Sequence, residues 1–105
     1  MSTIMTLEQV FSQVETFSWT HALYADRSAP LSLGTHCLVH DPDDVETDDD
    51  DLPNVVATAG FAYVIGIQDV KDILQNAKHQ VPEASAADLF IAFQFYIERD
   101  AFIVF

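Results

Sequence analysis

The chain has 105 residues and a formal net charge of −13, from 17 acidic and four basic side chains, and half of its residues are hydrophobic. This length indicates one domain over residues 1–105, and the apolar and aromatic content excludes disorder over the whole chain. The single cysteine, Cys37, excludes an intramolecular disulfide scaffold, and the negative charge disfavours direct binding to nucleic acids and anionic membranes, which would repel it.

The first predicted element is a helix from Thr6 to Phe17. Thr6 followed by Gln9 makes a capping-box pattern, in which each side chain accepts a hydrogen bond from the other residue's backbone N–H. Apolar residues at helical spacing form one face of this helix: Leu7, Val10, Phe11, Val14 and Phe17. Trp19, which follows the helix, is expected to pack into the core.

Two strands are predicted next, over Ala22–Ala25 and Thr35–His40. Between them lies a turn-rich stretch of about nine residues that contains Pro30 and Gly34. A connection of this length favours an antiparallel hairpin with a long loop.

The segment from Asp41 to Pro53 has a different composition. Eight of the eleven residues from Asp41 to Asp51 are acidic, and the rest of the chain has nine acidic and four basic residues, a net charge of −5. Like charges at this density repel one another, and Asp is a poor helix and strand former, so we predict an acidic surface loop over residues 41–53. The residues assigned to partner binding are Asp43, Asp44, Glu46, Asp48, Asp49, Asp50 and Asp51.

Three further elements are predicted between residues 53 and 82. A short helix over Pro53–Ala59 ends at Gly60 in the left-handed conformation, and a second helix over Gln68–Gln80 ends before Pro82. The strand between them, Phe61–Ile67, is apolar on both faces, which predicts a central strand covered on both sides.

The last helix is predicted from an N-cap at Ser85 to Arg99. Ile91 and Phe95 lie one turn apart among its polar residues rather than on its core face. The apolar segment Ala101–Phe105 is predicted as a terminal strand, because large apolar side chains are costly to leave in water. Either this strand folds over Ile91 and Phe95, or these two residues form a protein interface.

Taken together, the elements predict an α+β fold. Three to four helices and three to four strands do not alternate regularly along the chain, and most connections are short. We therefore expect a single domain in which the helices pack on a small antiparallel or mixed sheet.

Side chains suited to metal binding or catalysis form no recognised motif. The acidic segment does not fit the register of an EF-hand, and His36 and His40 of one strand would lie about 13 Å apart. Cys37 is expected to be a buried thiol. Cys37 could act as a nucleophile with a histidine as its base, and His21 or His79 could act with a carboxylate. None of these residues lies in a nucleophile elbow, and the chain has no Gly-rich phosphate loop. We predict no catalytic residue, no metal and no cofactor.

Three stretches of the chain resemble a family of small acidic bacterial proteins of unknown function. They are THCLVHDPDDVETDDDD, GFAYVIGIQDVKDILQNA and DLFIAFQFYIERDAFI, and the resemblance covers about Leu33 to Ile103. Small acidic bacterial proteins are often immunity or antitoxin partners of secreted toxins. The resemblance therefore implies an inhibitory role, by association with this class of protein and not through a shared motif. It supplies no catalytic residue.

We therefore predict a non-enzymatic binding protein, an immunity- or antitoxin-type inhibitor of a basic toxin domain such as a nuclease. Concentrated charge accelerates association by about 10–10³-fold, whereas a purely solvated loop would only keep the domain soluble. A nucleic-acid-mimicking or regulatory adaptor and a homo-oligomeric protein are also compatible with the sequence. A lone thiol and the lack of a signal peptide or a membrane-spanning run predict a cytoplasmic location. We expect the protein to be a monomer or a weak homodimer.

Overall fold

A four-stranded antiparallel sheet forms the centre of the computed structural model, which describes residues 3–44 and 53–105. The strands are β1 (Met5–Thr6), β2 (Ala22–Ala25), β3 (His36–His40) and β4 (Ala62–Gly66), in the spatial order β1-β3-β2-β4. The helices are α1 (Leu7–Gln13), α2 (Asn54–Ala59), α3 (Ile67–Gln80) and α4 (Ala86–Arg99). The predicted α+β class and the antiparallel pairing of β2 with β3 are confirmed.

One face of the sheet, here called the helix face, packs on α1, α3 and α4 and contains the main core. Leu23 and Ala25 of β2 and Cys37 and Val39 of β3 point into this core. Between the helices, the ring of Phe93 in α4 meets the ring of Phe11 in α1 edge to face, with 5.3 Å between centroids. Such aromatic pairs add to the stabilisation that burial already gives.

The opposite face of the sheet, here called the α2 face, holds a smaller core. Tyr24 of β2 and Leu38 of β3 are buried there against Val56 of α2 and Phe61. Because alternate strand residues point to opposite faces, β2 and β3 are covered on both sides. They are the central strands of the sheet.

Helix starts follow the capping patterns of the sequence. The backbone N–H of Gln9 donates to Thr6 Oγ1 at 3.2 Å, and the backbone N–H of Thr6 donates to Gln9 Oε1 at 2.8 Å. Ser85 caps α4 in the same way, with the Asp88 side chain closing the box. Gly60 ends α2 at φ 76°, as predicted. The first helix is shorter than expected, because a 3₁₀ turn over Val14–Thr16 replaces its last turn.

The prediction that the strand after α2 is central was wrong. Among the strands of residues 3–44 and 53–105, β4 pairs only with β2 and lies at an edge of the sheet, where Tyr63 is 55% exposed. The pairing register shifts between Leu23 opposite Ile65 and Tyr24 opposite Tyr63, which leaves Val64 as the extra residue of a β-bulge. Val64 and Ile65 both pack on the main core. The apolar run therefore arises because the neighbouring side chains of Val64 and Ile65 both point to the main core. It does not mean that both faces of the strand are covered.

The prediction of a strand at Ala101–Phe105 was also wrong. Gln80 holds this segment through its side chain, since Gln80 Nε2 donates to the Ile103 carbonyl at 2.9 Å and the Phe105 N–H donates to Gln80 Oε1 at 3.0 Å. Ile103 packs against the main core, whereas Val104 is 87% exposed. Side-chain hydrogen bonds, not a strand ladder, therefore hold this apolar segment.

Trp19 does not pack into the core as expected, because it is 64% exposed. It lies in a turn in which the His21 N–H donates to the Ser18 carbonyl at 3.1 Å. Phe17 packs against the core instead, and Lys71 Nζ donates to its carbonyl at 2.8 Å. Within residues 3–44 and 53–105, no helix has the length and apolar character to cross a membrane.

Candidate functional site

The first residues of the acidic segment form a hydrogen-bonded turn at the end of β3. The Asp43 N–H donates to Asp41 Oδ1 at 2.9 Å, and the Asp44 N–H donates to the Asp41 carbonyl at 3.2 Å. His40 Nε2 lies 2.7 Å from Asp44 Oδ2. Asp43 and Asp44 are exposed, so both carboxylates can meet a partner.

The other acidic residues assigned to partner binding lie outside the described residues. They are Glu46, Asp48, Asp49, Asp50 and Asp51. Of the seven predicted binding acids, the structure therefore locates Asp43 and Asp44. The prediction of an acidic surface loop over residues 41–53 stays a prediction beyond Asp44.

Two tyrosines stand next to this turn on the α2 face. Tyr24 is buried, and its ring meets the exposed ring of Tyr63 edge to face, with 5.8 Å between centroids. Burial raises the pKa of the Tyr24 hydroxyl, and the nearby Tyr63, Asp41 and Asp43 raise it further. The acidic turn is thus close enough to Tyr24 for its charge to act on the Tyr24 hydroxyl.

A cleft of about 350 Å³ lies on the other side of the same turn. Polar and charged groups at the cleft include His21, His40 and Asp41, and its apolar walls are Met5, Phe17 and Val39, with Thr3 beside them. Two neighbours of these residues in the sequence are exposed, Ile4 before β1 and Trp19 after Phe17. The cleft therefore brings the Asp41 carboxylate together with apolar side chains.

Ile91 and Phe95 form a separate apolar patch on α4. Ile91 is 50% exposed, and together with Gln94 and Glu98 the two apolar residues line a shallow cleft of about 230 Å³. The Arg99 guanidinium lies 5.6 Å from the centroid of the Phe95 ring. The expectation that a C-terminal strand covers this patch was wrong, since the segment after α4 lies against Gln80 and Tyr96.

The residues of β3 that resemble metal ligands by type do not converge. Cys37 is fully buried, and burial raises the pKa of its thiol from 9.0 to about 12, so the reactive thiolate is disfavoured. The thiol donates to the Thr35 carbonyl at 3.4 Å, whereas His36 is exposed. In the described part of the chain, no group of three or more His, Cys, Asp or Glu side chains is arranged to hold a metal ion.

A family model described as a domain of unknown function, DUF7716, matches residues 4–105. The chain belongs to this family. No curated protein matches it, and no solved structure does. The resemblance to a family of unknown function, expected from three stretches of the sequence, is confirmed at that level.

Two residues of this DUF7716 domain are exposed although the sequence predicts them to be covered. Tyr63 was assigned to a covered central strand, and Trp19 was assigned to the core. The apolar run around Tyr63 gave no signal of an edge, because edge position depends on which strands pair. Trp19 sits between Ser18 and Thr20, whose hydroxyls lie 2.8 Å apart, and this polar setting was the available sign of a turn.

Proposed function

We propose that this DUF7716 protein binds a basic protein partner through the acidic segment Asp41–Asp51 and the tyrosine pair Tyr24–Tyr63. The observation that carries the proposal is the proximity of Asp41 and Asp43 to Tyr24, whose ring contacts the exposed ring of Tyr63. Acidic residues supply long-range attraction, and the exposed Tyr63 ring supplies apolar surface that a partner can bury.

This combination matches the energetics of protein recognition. Charges at the rim of an interface mainly speed up association, whereas a few aromatic anchors at its centre provide most of the binding energy. Tyr63 is held at one edge by Tyr24, so little rotamer freedom remains to be lost when a partner buries it. The exposed Tyr63 ring supports the proposal as a candidate anchor, because it contacts Tyr24, on which the charges of Asp41 and Asp43 act.

Asp44 of the acidic turn is paired with a histidine. His40 Nε2 lies 2.7 Å from Asp44 Oδ2, and a histidine is charged only when protonated. A neutral histidine leaves the negative charge of the turn available to attract a positively charged partner.

The partner that fits this chemistry best is a toxin domain with an electropositive cleft, such as a nuclease, and the protein would act as its immunity-type inhibitor. Enzymes that bind nucleic acid carry positive charge where the phosphates lie, and an acidic protein can occupy that site competitively. The proposal assigns the protein to the bacterial cytoplasm, a reducing compartment that suits a free buried thiol. It assigns no catalytic residue and no cofactor to the chain.

Co-purification of the tagged protein from its native host tests the proposal. We expect a basic partner that elutes at high salt and whose inhibition can be assayed. The variants Asp43→Asn with Asp44→Asn, and Asp48→Asn through Asp51→Asn, should weaken binding and reduce its salt dependence. The control Glu8→Gln with Glu83→Gln changes the net charge as much as the first variant but lies away from the acidic turn. Equal affinities and salt slopes for all four proteins would overturn the proposal.

A second candidate function rests on the Ile91 and Phe95 patch on α4, in which Ile91 is exposed and Phe95 is half-buried. A second copy of the chain packed on this patch would form a weak homodimer. Sedimentation velocity of the wild type and of Phe95→Glu across a concentration series tests it. We expect a concentration-dependent dimer that the substitution abolishes, and a monomer in both proteins would overturn this candidate.

A further inference from the structure

A groove of about 330 Å³ runs between the edge strand β4 and the last turn of α4. One wall consists of Tyr63, Val64 and Ile65, and the other includes Tyr96 and Ile97. The β-bulge explains why consecutive residues of β4 reach the same groove. Each long wall of the groove therefore includes apolar side chains, Val64 and Ile65 on one and Ile97 on the other.

The backbone of β4 adds polar groups to this groove. β4 pairs with β2 on one side, and no other strand within residues 3–44 and 53–105 pairs with its outer edge. An edge strand of this kind presents N–H and C=O groups to which an extended segment can hydrogen-bond as an additional strand.

Carboxylates surround the end of the groove. Asp69 and Asp100 line it, and Asp69 Oδ2 would lie 3.9 Å from a Cβ atom placed on Gly66, the last residue of β4. Burial raises the pKa of the Tyr96 hydroxyl, and Asp69, Asp100 and Asp72 raise it further, in that order. Three carboxylates thus act on one tyrosine at the groove.

Two basic side chains of these helices, Lys71 and Arg99, make contacts outside the groove. The Arg99 guanidinium lies over the Phe95 ring, and Lys71 Nζ donates to the Phe17 carbonyl. Among the described residues, neither Asp69 nor Asp100 forms an ion pair. The groove therefore combines apolar walls, a strand edge and negative charge.

We infer that this groove binds an extended segment of a partner protein that carries alternating basic and apolar side chains and adds to β4 as a strand. Apolar side chains on one face of the segment pack against Val64 and Ile97, and a basic side chain at its end reaches Asp69 and Asp100 at the end of the groove. The inference rests on the proposed function, because it identifies which part of the basic partner enters the fold. A second copy of this chain is disfavoured as the occupant, since it would bring the same carboxylates face to face.

A short fluorescent peptide of alternating lysine and valine tests the inference by anisotropy titration against the purified protein. The groove variant is Asp69→Asn with Asp100→Asn. Asn tolerates the left-handed conformation of Asp100, at φ 53°, so this variant keeps the fold. The matched control is Glu8→Gln with Glu83→Gln, which removes the same charge. Glu8 lies at the start of α1, and Glu83 lies at the opposite end of the α3–α4 pair from the groove.

We expect saturable binding to the wild type and to the control. Affinity for the groove variant should fall by about threefold to tenfold, as the loss of two exposed ion pairs predicts. A peptide with N-methylated backbone amides should bind at least about tenfold more weakly, because it cannot pair with a strand edge.

Three results would overturn the inference. They are no saturable binding, equal affinity of the groove variant and the control, and equal affinity of the N-methylated and parent peptides. Loss of peptide binding in Asp43→Asn with Asp44→Asn alone would also overturn it, since the peptide would then sit on the acidic turn. A native partner that co-purifies with the expected salt dependence while the peptide fails leaves the proposed function standing, so the two failures are distinguishable.

Discussion

The two faces of the sheet differ in what covers them. Three helices cover the helix face and bury its side chains in the main core, whereas the α2 face is covered by the six-residue helix α2 and the residues around Phe61. Both faces bury β2, since Leu23 on one side and Tyr24 on the other are almost fully inaccessible to water. The two faces differ in the next strand, β4, where Tyr63 on the α2 face is exposed.

This comparison indicates a division of tasks within one small domain. The helix face holds most of the buried apolar surface and therefore most of the folding free energy. The α2 face leaves its outer edge open, and the exposed Tyr63 and the acidic turn are found there. A thin cover is a condition for a binding surface, because a fully buried tyrosine would be out of a partner's reach.

The largest expected loss of stability comes from a substitution in the main core, on the helix face. Phe93→Ala removes a fully buried ring and its contact with Phe11, so we expect a loss of about 3–5 kcal/mol in the free energy of unfolding. Urea denaturation followed by circular dichroism measures it. A loss below about 1 kcal/mol would show that α1 and α4 are not closely packed at this point.

A matched pair of valines sharpens the comparison between the faces. Val70 in α3 and Val56 in α2 are both fully buried, and replacing each by Ala deletes the same atoms. We expect a loss of about 2–3 kcal/mol for Val70→Ala and of about 1–2 kcal/mol for Val56→Ala. The second value is smaller because α2 is short, has no side-chain N-cap and can move into the space. Equal losses in urea denaturation would show that both faces are equally rigid.

A smaller effect is expected at the cap of α4. Ser85→Ala removes the acceptor for the Asp88 N–H, which should cost about 1 kcal/mol of stability. Ser85→Thr keeps the hydroxyl and serves as the control in the same denaturation series. If both substitutions cost the same, the hydroxyl of residue 85 is not what stabilises the start of this helix.

The smallest effect is expected in the acidic turn. Asp43→Asn with Asp44→Asn removes two exposed carboxylates, one of them in the pair with His40, and surface ion pairs contribute little to stability. We expect a change in the free energy of unfolding within about 0.5 kcal/mol. A loss above about 1 kcal/mol would mean that these residues hold the fold together, and the division between the two faces would fail.

Local signals in the sequence were sufficient for the helix starts and the central strands. Thr6 with Gln9 and Ser85 with Asp88 act over three residues, so their hydrogen bonds form whatever the rest of the chain does. Gly60 ends α2 for an equally local reason, since its positive φ suits a residue without Cβ. These predictions required no knowledge of which elements pack together.

The wrong predictions concern apolar segments that can be kept from water in more than one way. β4 and the segment after α4 both looked like buried strands. β4 became an edge strand with a bulge, and Ala101–Phe105 was held by Gln80 instead of a strand. The prediction for Trp19 was also wrong, since its large apolar side chain lies exposed in a turn while the nearby Phe17 packs against the core. The amino-acid composition indicates that exposing apolar side chains costs free energy, but it does not determine which of several apolar side chains is buried.

The sequence by itself determined the fold class, the capped helices, the β2–β3 hairpin and the concentration of acidic residues between Asp41 and Asp51. Each of these follows from hydrogen bonds, spacing or charge within a short stretch of chain. Only the tertiary structure decided that β4 is an edge, that Tyr63 contacts the tyrosine nearest the acidic turn, and that Asp69 and Asp100 meet at one groove. Exposure and proximity depend on neighbours brought from distant parts of the chain, and no local pattern encodes them.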